Sequence, residues 1–385
     1  MASFQRMYIE IANDIVEDAI GKAASDVNDS LDLLTLFALN AQRGKHLVHV
    51  PCMHNNPEIV RALTNIMGRS HVDFLRQSEH MYYQLARIKE LVSNYVVISF
   101  EKQSSNRKEI VINPLIERRF EAYNETHVIT ENIQDSLFFK YLVKFFLREH
   151  SIRYCNICFS PIMGGGDTTA EVLKHEVEDR RFLCLVITDS DRKYPHSKYG
   201  QTALKIKDVI ENYTPFHCGL YIMDQVMEVE NLIPFGVVEK AASNKGFSQI
   251  FEKDASFYDM KCGLTLNWLF DDEVCRYWSQ QLYQGEINLE QRNDAKAHTS
   301  NRKSYQSYIE THKYNKQLTS GFGSDLLYRC TNNFDGNGNI LDAHIQNDLM
   351  NVKRSDLTTF QLNEWLNIGR VLFSWTCGMT QRRVG

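Results

Sequence analysis

The sequence predicts an α/β protein with a parallel-sheet core, an N-terminal α/β module and a mostly helical C-terminal region. Three observations carry that prediction. Residues 181–191, RFLCLVITDSD, form a short continuous apolar run ending in Asp-x-Asp, as a central strand buried on both faces would. Strand-like runs at 127–130 and 218–223 stand on either side of it with helical patterns between, which is the alternation of β-α units. The stretch 360–375 places apolar and aromatic residues at helical spacing.

At 385 residues the chain is long enough for two or three domains. The expected divisions are an N-terminal module at 1–122 for docking or oligomerisation, a core at 123–240 and a helical region at 241–385. In the first module the opening forty residues and 56–93 carry amphipathic helical patterns. Short β-like runs lie at 45–50 and 95–100, with 110–112 beside the latter and 104–108 as the turn between them. His46, His49, Cys52 and His54 crowd together on paper. Strand alternation would send His46 and His49 to opposite faces, which opposes a shared ion.

The core begins with a strand at 127–130 that ends in Glu131. Asp135 follows in the first turn of a helix bearing Leu137, Phe138, Tyr141 and Leu142, where an acid also suits the helix dipole. A strand at 157–159 leads to Gly164, Gly165 and Gly166 and a helix near Thr168. Those glycines either present N–H groups to a phosphate or satisfy a turn with positive φ. No Gly-Lys-Ser/Thr follows, so this is not a P-loop. Cys155 and Cys158 form a lone C-x-x-C without a second pair and read as core cysteines.

Asp189 and Asp191 follow the next strand, at the edge where α/β sheets bind ligands. Two carboxylates so close repel each other unless a cation sits between them, and hard oxygen ligands select Mg²⁺ or Mn²⁺. After the strand at 218–223 come Glu228 and Glu230, again two apart. Residues 335–339, DGNGN, hint at a calcium loop, but Ile340 and Gln346 stand where that loop needs Gly and Glu, so a tight turn is expected.

The ordered set ITENIQD (129–135), TDSD (188–191) and EVENLIP (228–234) resembles the TOPRIM domain, most closely that of OLD-family and phage-defence TOPRIM nucleases. In that family the first motif often reads Val-Glu-Gly-x-x-Asp, and a later one resembles Glu-x-Glu-Asn-Leu. This chain departs at Asn132, where the family usually has Gly. The likeness covers roughly residues 125–240. It implies a metal-dependent endonuclease acting on DNA or RNA, with Glu131, Asp189 and Asp191 catalytic. Glu131, Asp135, Asp189, Asp191, Glu228 and Glu230 would hold Mg²⁺ or Mn²⁺. Gly164, Gly165, Gly166, Arg192 and Lys193 would meet the substrate. It also implies a role in bacterial anti-phage defence, gated by a protein partner such as an ATPase, with a homo-oligomer as a further possibility.

Composition bounds these expectations. A net charge of −5 argues against a surface that coats DNA, though not against a nuclease. Basic residues cluster at Arg180, Arg181, Arg192, Lys193, Lys198, Lys205 and Lys207. A second group, Arg292, Lys296, Arg302, Lys303, Lys313 and Lys316, is interleaved with Tyr305, Tyr308 and Tyr314, a mixture that suits phosphates and stacked bases or a solvated helix face. Nine scattered cysteines, no apolar run of membrane-spanning length and no signal-like N-terminus point to the cytoplasm. Two rival classes remain. One is another Asp-x-Asp enzyme, a phosphatase or glycosyltransferase, although Lys193 stands where the phosphatase motif wants Thr or Val. The other is a TOPRIM-like scaffold that binds nucleic acid or a partner without cutting.

Overall fold

A computed structural model describes residues 8–43, 46–76, 88–101, 108–114, 116, 126–153, 155–157, 159–215, 217–241, 255–281, 289–314, 316–332 and 345–379. The fold is α/β, with two four-stranded sheets. The chain divides into two compact units. The first comprises Met1–Ile187, Lys205–Tyr221 and Leu366–Gly385, the second Thr188–Leu204 and Ile222–Trp365.

The first unit opens with a sheet of order β2-β1-β3-β4, formed by β1 (Tyr8–Ile11), β2 (Leu47–His49), β3 (Tyr95–Ile98) and β4 (Glu109–Ile112). All three pairings are parallel, with Glu10 opposite His49, Val97 opposite Glu10, and Tyr95 opposite Glu109. Helices α1 (Asn13–Gly21), α2 (Asp29–Gln42), α3 (Pro57–Met67) and α4 (Arg69–Arg76) accompany it. Asn28 caps α2 by accepting the Leu31 N–H, and Asn56 with Pro57 at the first position starts α3.

Two expectations change here. The opening residues include a central strand, β1, too short for its alternation to stand out beside the helices that follow. The parallel pairing of β3 with β4 also rules out a tight hairpin between them, because parallel neighbours require a crossover. Residues 104–107 of the expected turn lie outside the described residues.

The second sheet has the order β7-β5-β8-β9, with β5 (His127–Thr130), β7 (Ser160–Met163), β8 (Cys184–Thr188) and β9 (Cys218–Ile222). β5 pairs in parallel with β7 and with β8, Ile129 lying opposite Ile162 and Val186. Every residue of β8 is buried, as the continuous apolar run demands. Helices α5 (Ile133–Glu149), α6 (Thr169–Asp179) and α7 (Gln201–Tyr213) connect these strands. Ile129, Leu173, Val177, Val186 and Ile206 share one core. The strand expected at 157–159 is in fact two. β6 (Cys155–Ile157) pairs antiparallel with β10 (Cys377–Met379), and β7 delivers the glycines. Pro161 lies within β7, which a sheet edge tolerates and a central strand does not.

Among the described residues the remaining α-helices are α8 (Phe235–Ala241), α9 (Asp272–Gln281), α10 (Leu289–Ala297), α11 (Arg302–Thr311), α12 (Leu326–Asn332), α13 (Ile345–Met350) and α14 (Thr359–Thr376). Among the described residues the C-terminal region is mostly helical, as expected. The turn expected at 335–339 lies outside the described residues. Among the described residues no helix is long and apolar enough to cross a membrane.

Within the first unit, α5 and α14 approach closely at Gly369. A methyl there would lie 2.6 Å from Phe146 Cβ and 3.2 Å from the Leu142 carbonyl oxygen, and a backbone atom cannot rotate away. Gly369→Leu should therefore lower unfolding stability by about 1–3 kcal/mol despite its better helix propensity. Chemical denaturation checks this, and an unchanged midpoint would refute the close approach.

Candidate functional site

The first-unit candidates sit where their elements require. Glu131 follows β5 directly, and its carbonyl accepts the Gly165 N–H at 3.0 Å. Asn132 is the N-cap of α5 with an extended backbone, φ −130°. No left-handed turn is needed there, so the departure from the family's Gly costs the backbone nothing. Asp135 closes a capping box: its Oδ2 accepts the Asn132 N–H at 2.9 Å, while Asn132 Oδ1 accepts from Gln134. Gly164 and Gly165 donate their N–H groups to Thr130 and Glu131 carbonyls. Gly165 and Gly166 have φ of 78° and 64°, and a side chain at Gly164 would collide with Thr169. Conformation and space explain these glycines, and two of the three amides are already committed.

The second unit gathers the other acids. β8 ends at Thr188, so Asp189 and Asp191 lie beyond the strand rather than at strand spacing on it. Between them Ser190 is buried and turns inward, its hydroxyl donating to the Val226 carbonyl. The Ser190 and Asp191 N–H groups both donate to the Met227 carbonyl, at 3.1 and 3.0 Å. Asp191 adopts φ 52°, a left-handed conformation that Asp tolerates better than most residues. Gly200 packs against it so tightly that any β-carbon at position 200 would overlap the Asp191 side chain. Asp189 Oδ1 accepts the Val229 N–H at 3.0 Å.

The EVEN motif has a structural logic of its own. Asn231 Nδ2 donates to the carbonyls of Ala255 and Tyr258, both at 2.7 Å, and Asn231 Oδ1 accepts the Glu228 N–H. Glu228 Oε1 accepts the Met260 N–H at 2.8 Å. Glu228 and Asn231 thus anchor the segment 255–261 and deliver Lys261 among the acids. Lys261 Nζ lies 3.1 Å from both Glu228 Oε2 and Glu230 Oε2. The two glutamate side chains are only 6 % and 5 % exposed.

Electrostatics follow from that burial. Burial alone would pull the Lys261 ammonium down, but Glu230, Glu228 and Asp189 together reverse this and hold it well above the ordinary lysine range. Burial, and then Glu230, push the Glu228 carboxyl up to about 8 against the opposing pull of Lys261. The Lys261 ammonium offsets negative charge on the two buried glutamates, which lowers the cost of holding charge in the interior. Asp191 is surface-exposed, yet desolvation by surrounding protein is the largest influence on it and raises its carboxyl. Asp259 adds to that, while Lys261 and Lys193 oppose it.

A pH dependence follows. Below 4.5, the ordinary Glu value, Glu228 is protonated whether the chain is folded or not. Between that value and about 8 the unfolded chain releases this proton while the fold retains it, so stability falls as pH rises. Glu228→Gln should flatten that slope. Denaturation midpoints at pH 5, 6.5 and 8 test it, and parallel slopes for both proteins would contradict it.

The basic candidates hold the Asp191 turn. Arg192 Nη1 donates to the Pro195 and Asp224 carbonyls at 3.3 Å, and its guanidinium covers the Tyr199 ring at 4.1 Å. Lys193 Nζ stands 4.6 Å from the centre of the Trp268 ring. Burial, then Arg302, lower its ammonium, while Asp271, Asp259 and Asp191 work against them.

Four carboxylates are the right chemistry for a hard divalent cation. Their arrangement is not: the Lys261 ammonium stands between Glu228 and Glu230, and backbone amides engage Glu228 and Asp189. Among the described residues no group of three or more His, Cys, Asp or Glu is arranged to hold a metal ion. The residues as placed do not fit a resident metal. Cys158 lies outside the described residues, and Cys155 is buried in β6.

Lys261 and the anchoring role of Asn231 were not foreseen. Lys261 lies in a loop without a motif, and only the long-range contact with Glu228 and Glu230 reveals it. No family model, no curated protein and no solved structure matches this chain.

Proposed function

We propose that this chain is a nuclease, cutting phosphodiester bonds of DNA or RNA at a centre made of Asp189, Asp191, Glu228, Glu230 and Lys261. The observation that carries this is the Lys261 ammonium held 3.1 Å from each of two buried glutamates, beside an exposed Asp191 fixed in a left-handed turn. Residues held in sparsely populated backbone conformations concentrate at functional sites. A raised, accessible carboxyl exchanges protons closer to neutrality than an ordinary aspartate, as a general acid or base must. The lysine supplies positive charge near any phosphate that approaches. No step is routed through Mg²⁺ or Mn²⁺, given the misfit above.

The lysine-paired glutamates, with Glu228 also held by the Met260 amide, favour a second reading as well, a TOPRIM-like scaffold that binds without cutting. One assay separates the two. Purified full-length protein is incubated with plasmid, single-stranded DNA and total tRNA, with Mg²⁺, with Mn²⁺ and with EDTA. Cutting of any of them supports the nuclease, and the EDTA arm reports whether a cation is required. Binding without cutting in every arm leaves the scaffold.

A further inference from the structure

We propose that three stacked rings in the second unit, His298, Tyr308 and His312, form a base-stacking platform for single-stranded nucleic acid. The inference deepens the nuclease reading by naming the form of its substrate, and it rests on that reading.

The rings form one continuous stack. Tyr308 lies between the two histidines, with centroid separations of 5.3 Å to His298 and 3.8 Å to His312 and interplanar angles of 6° and 18°. The helix α11 explains the placement. Tyr305 and Ile309 are fully buried on one side of it, whereas Tyr308 and His312, four residues apart, share another side. The stack is therefore separate from the residues that pack the core. His298 Nδ1 donates to the Asp294 carbonyl at 2.9 Å, and His312 Nδ1 donates to the Tyr308 carbonyl at 3.0 Å. These bonds set both rings before any ligand arrives, which lowers the ordering cost of binding. The His298 side chain is 58 % exposed.

Charge around the rings selects the occupant. Arg292 and Lys296 are paired with Asp272, and Lys316 with Glu310. Arg302, Lys303 and Lys313 are exposed and form no ion pair among the described residues. Exposed histidine rings on a segment that also carries exposed, unpaired cations match what a single strand offers, namely unstacked bases and a phosphate backbone. A duplex hides its base faces and offers only the phosphates. Arg302 also lies near enough to Lys193 to act on its charge.

The test is fluorescence anisotropy with full-length protein in EDTA, where cation-dependent cutting is suppressed. The probes are a labelled DNA and a labelled RNA single strand of about fifteen nucleotides, long enough for one site, and the duplex of the same sequence. Wild type is expected to bind a single strand more tightly than the duplex. The double variant His298→Ala/His312→Ala should bind that strand roughly tenfold more weakly, within the range known for stacked bases. The double variant His298→Phe/His312→Phe, which keeps the rings and removes their polar atoms, should bind within about threefold of wild type.

Equal binding by wild type and the Ala pair would overturn the platform and leave the nuclease reading standing. A Phe pair as weak as the Ala pair would mean polar contact rather than stacking, and would also overturn it. Preference for the duplex would do the same. Wild type that binds none of the probes would overturn the platform and the nucleic-acid reading together.

Discussion

Lys261→Met should destabilise the protein by about 3 kcal/mol, the lower end for breaking a buried pair from one side. The loss comes from Glu230 and Glu228, which are left in the interior without a cation. Their side chains are almost fully buried and Lys261 itself is 33 % exposed, so solvent relieves only part of the cost. The variant also frees the 255–261 segment from one of its holds, although Asn231 and the Met260 N–H still bind it. Adding Glu230→Gln should restore much of the stability, because one of the two buried carboxylates left without a cation is then gone. Urea denaturation of the three proteins measures this. A Lys261→Met protein as stable as wild type would mean that the ion pairs contribute nothing.

Asp191→Asn should reduce cutting by about 10²–10⁴-fold, the range for loss of a general acid or base. It should leave the fold unharmed. Desolvation raises the Asp191 carboxyl, so an ionised aspartate there is mildly unfavourable and the amide removes that cost. Asn also tolerates the left-handed backbone that this position requires. A lowered melting temperature would instead assign Asp191 a structural role.

Legibility in the sequence followed the range of the interactions. β8 was evident because a strand buried on both faces must be continuously apolar, and CLVIT is. β5, β9 and α14 were evident for similarly local reasons. β1 was not, because four residues carry little periodicity and its place at the sheet centre depends on distant partners. The parallel sense of β3 and β4 was equally invisible, since a polar connection of that length reads as a hairpin turn.

In the candidate site, the Asp-x-Asp and Glu-x-Glu-Asn motifs marked two segments that the fold brings together, but not what each residue does. Glu228 grips a backbone and a lysine, Asn231 pins a loop, and Ser190 fixes the turn between two aspartates. Those roles depend on residues 255–261, which no local pattern connects to them. Likewise, Tyr305 and Tyr308 look alike in the sequence, yet one is core and the other, half-buried, stacks on His298 and His312.

The turn after β8 and the Lys261 cluster are proposed to form one centre that cuts nucleic acid. The most direct measurement is the initial rate on one end-labelled single strand for wild type, Asp189→Asn and Asp191→Asn, run side by side at equal concentration. Asp189→Asn keeps an oxygen to accept the Val229 N–H, so its fold should hold while its charge is lost. Wild type should cut measurably, and both variants should lose about 100-fold or more of that rate with unchanged melting temperatures. Equal rates in all three proteins would contradict it and place any cutting elsewhere in the chain.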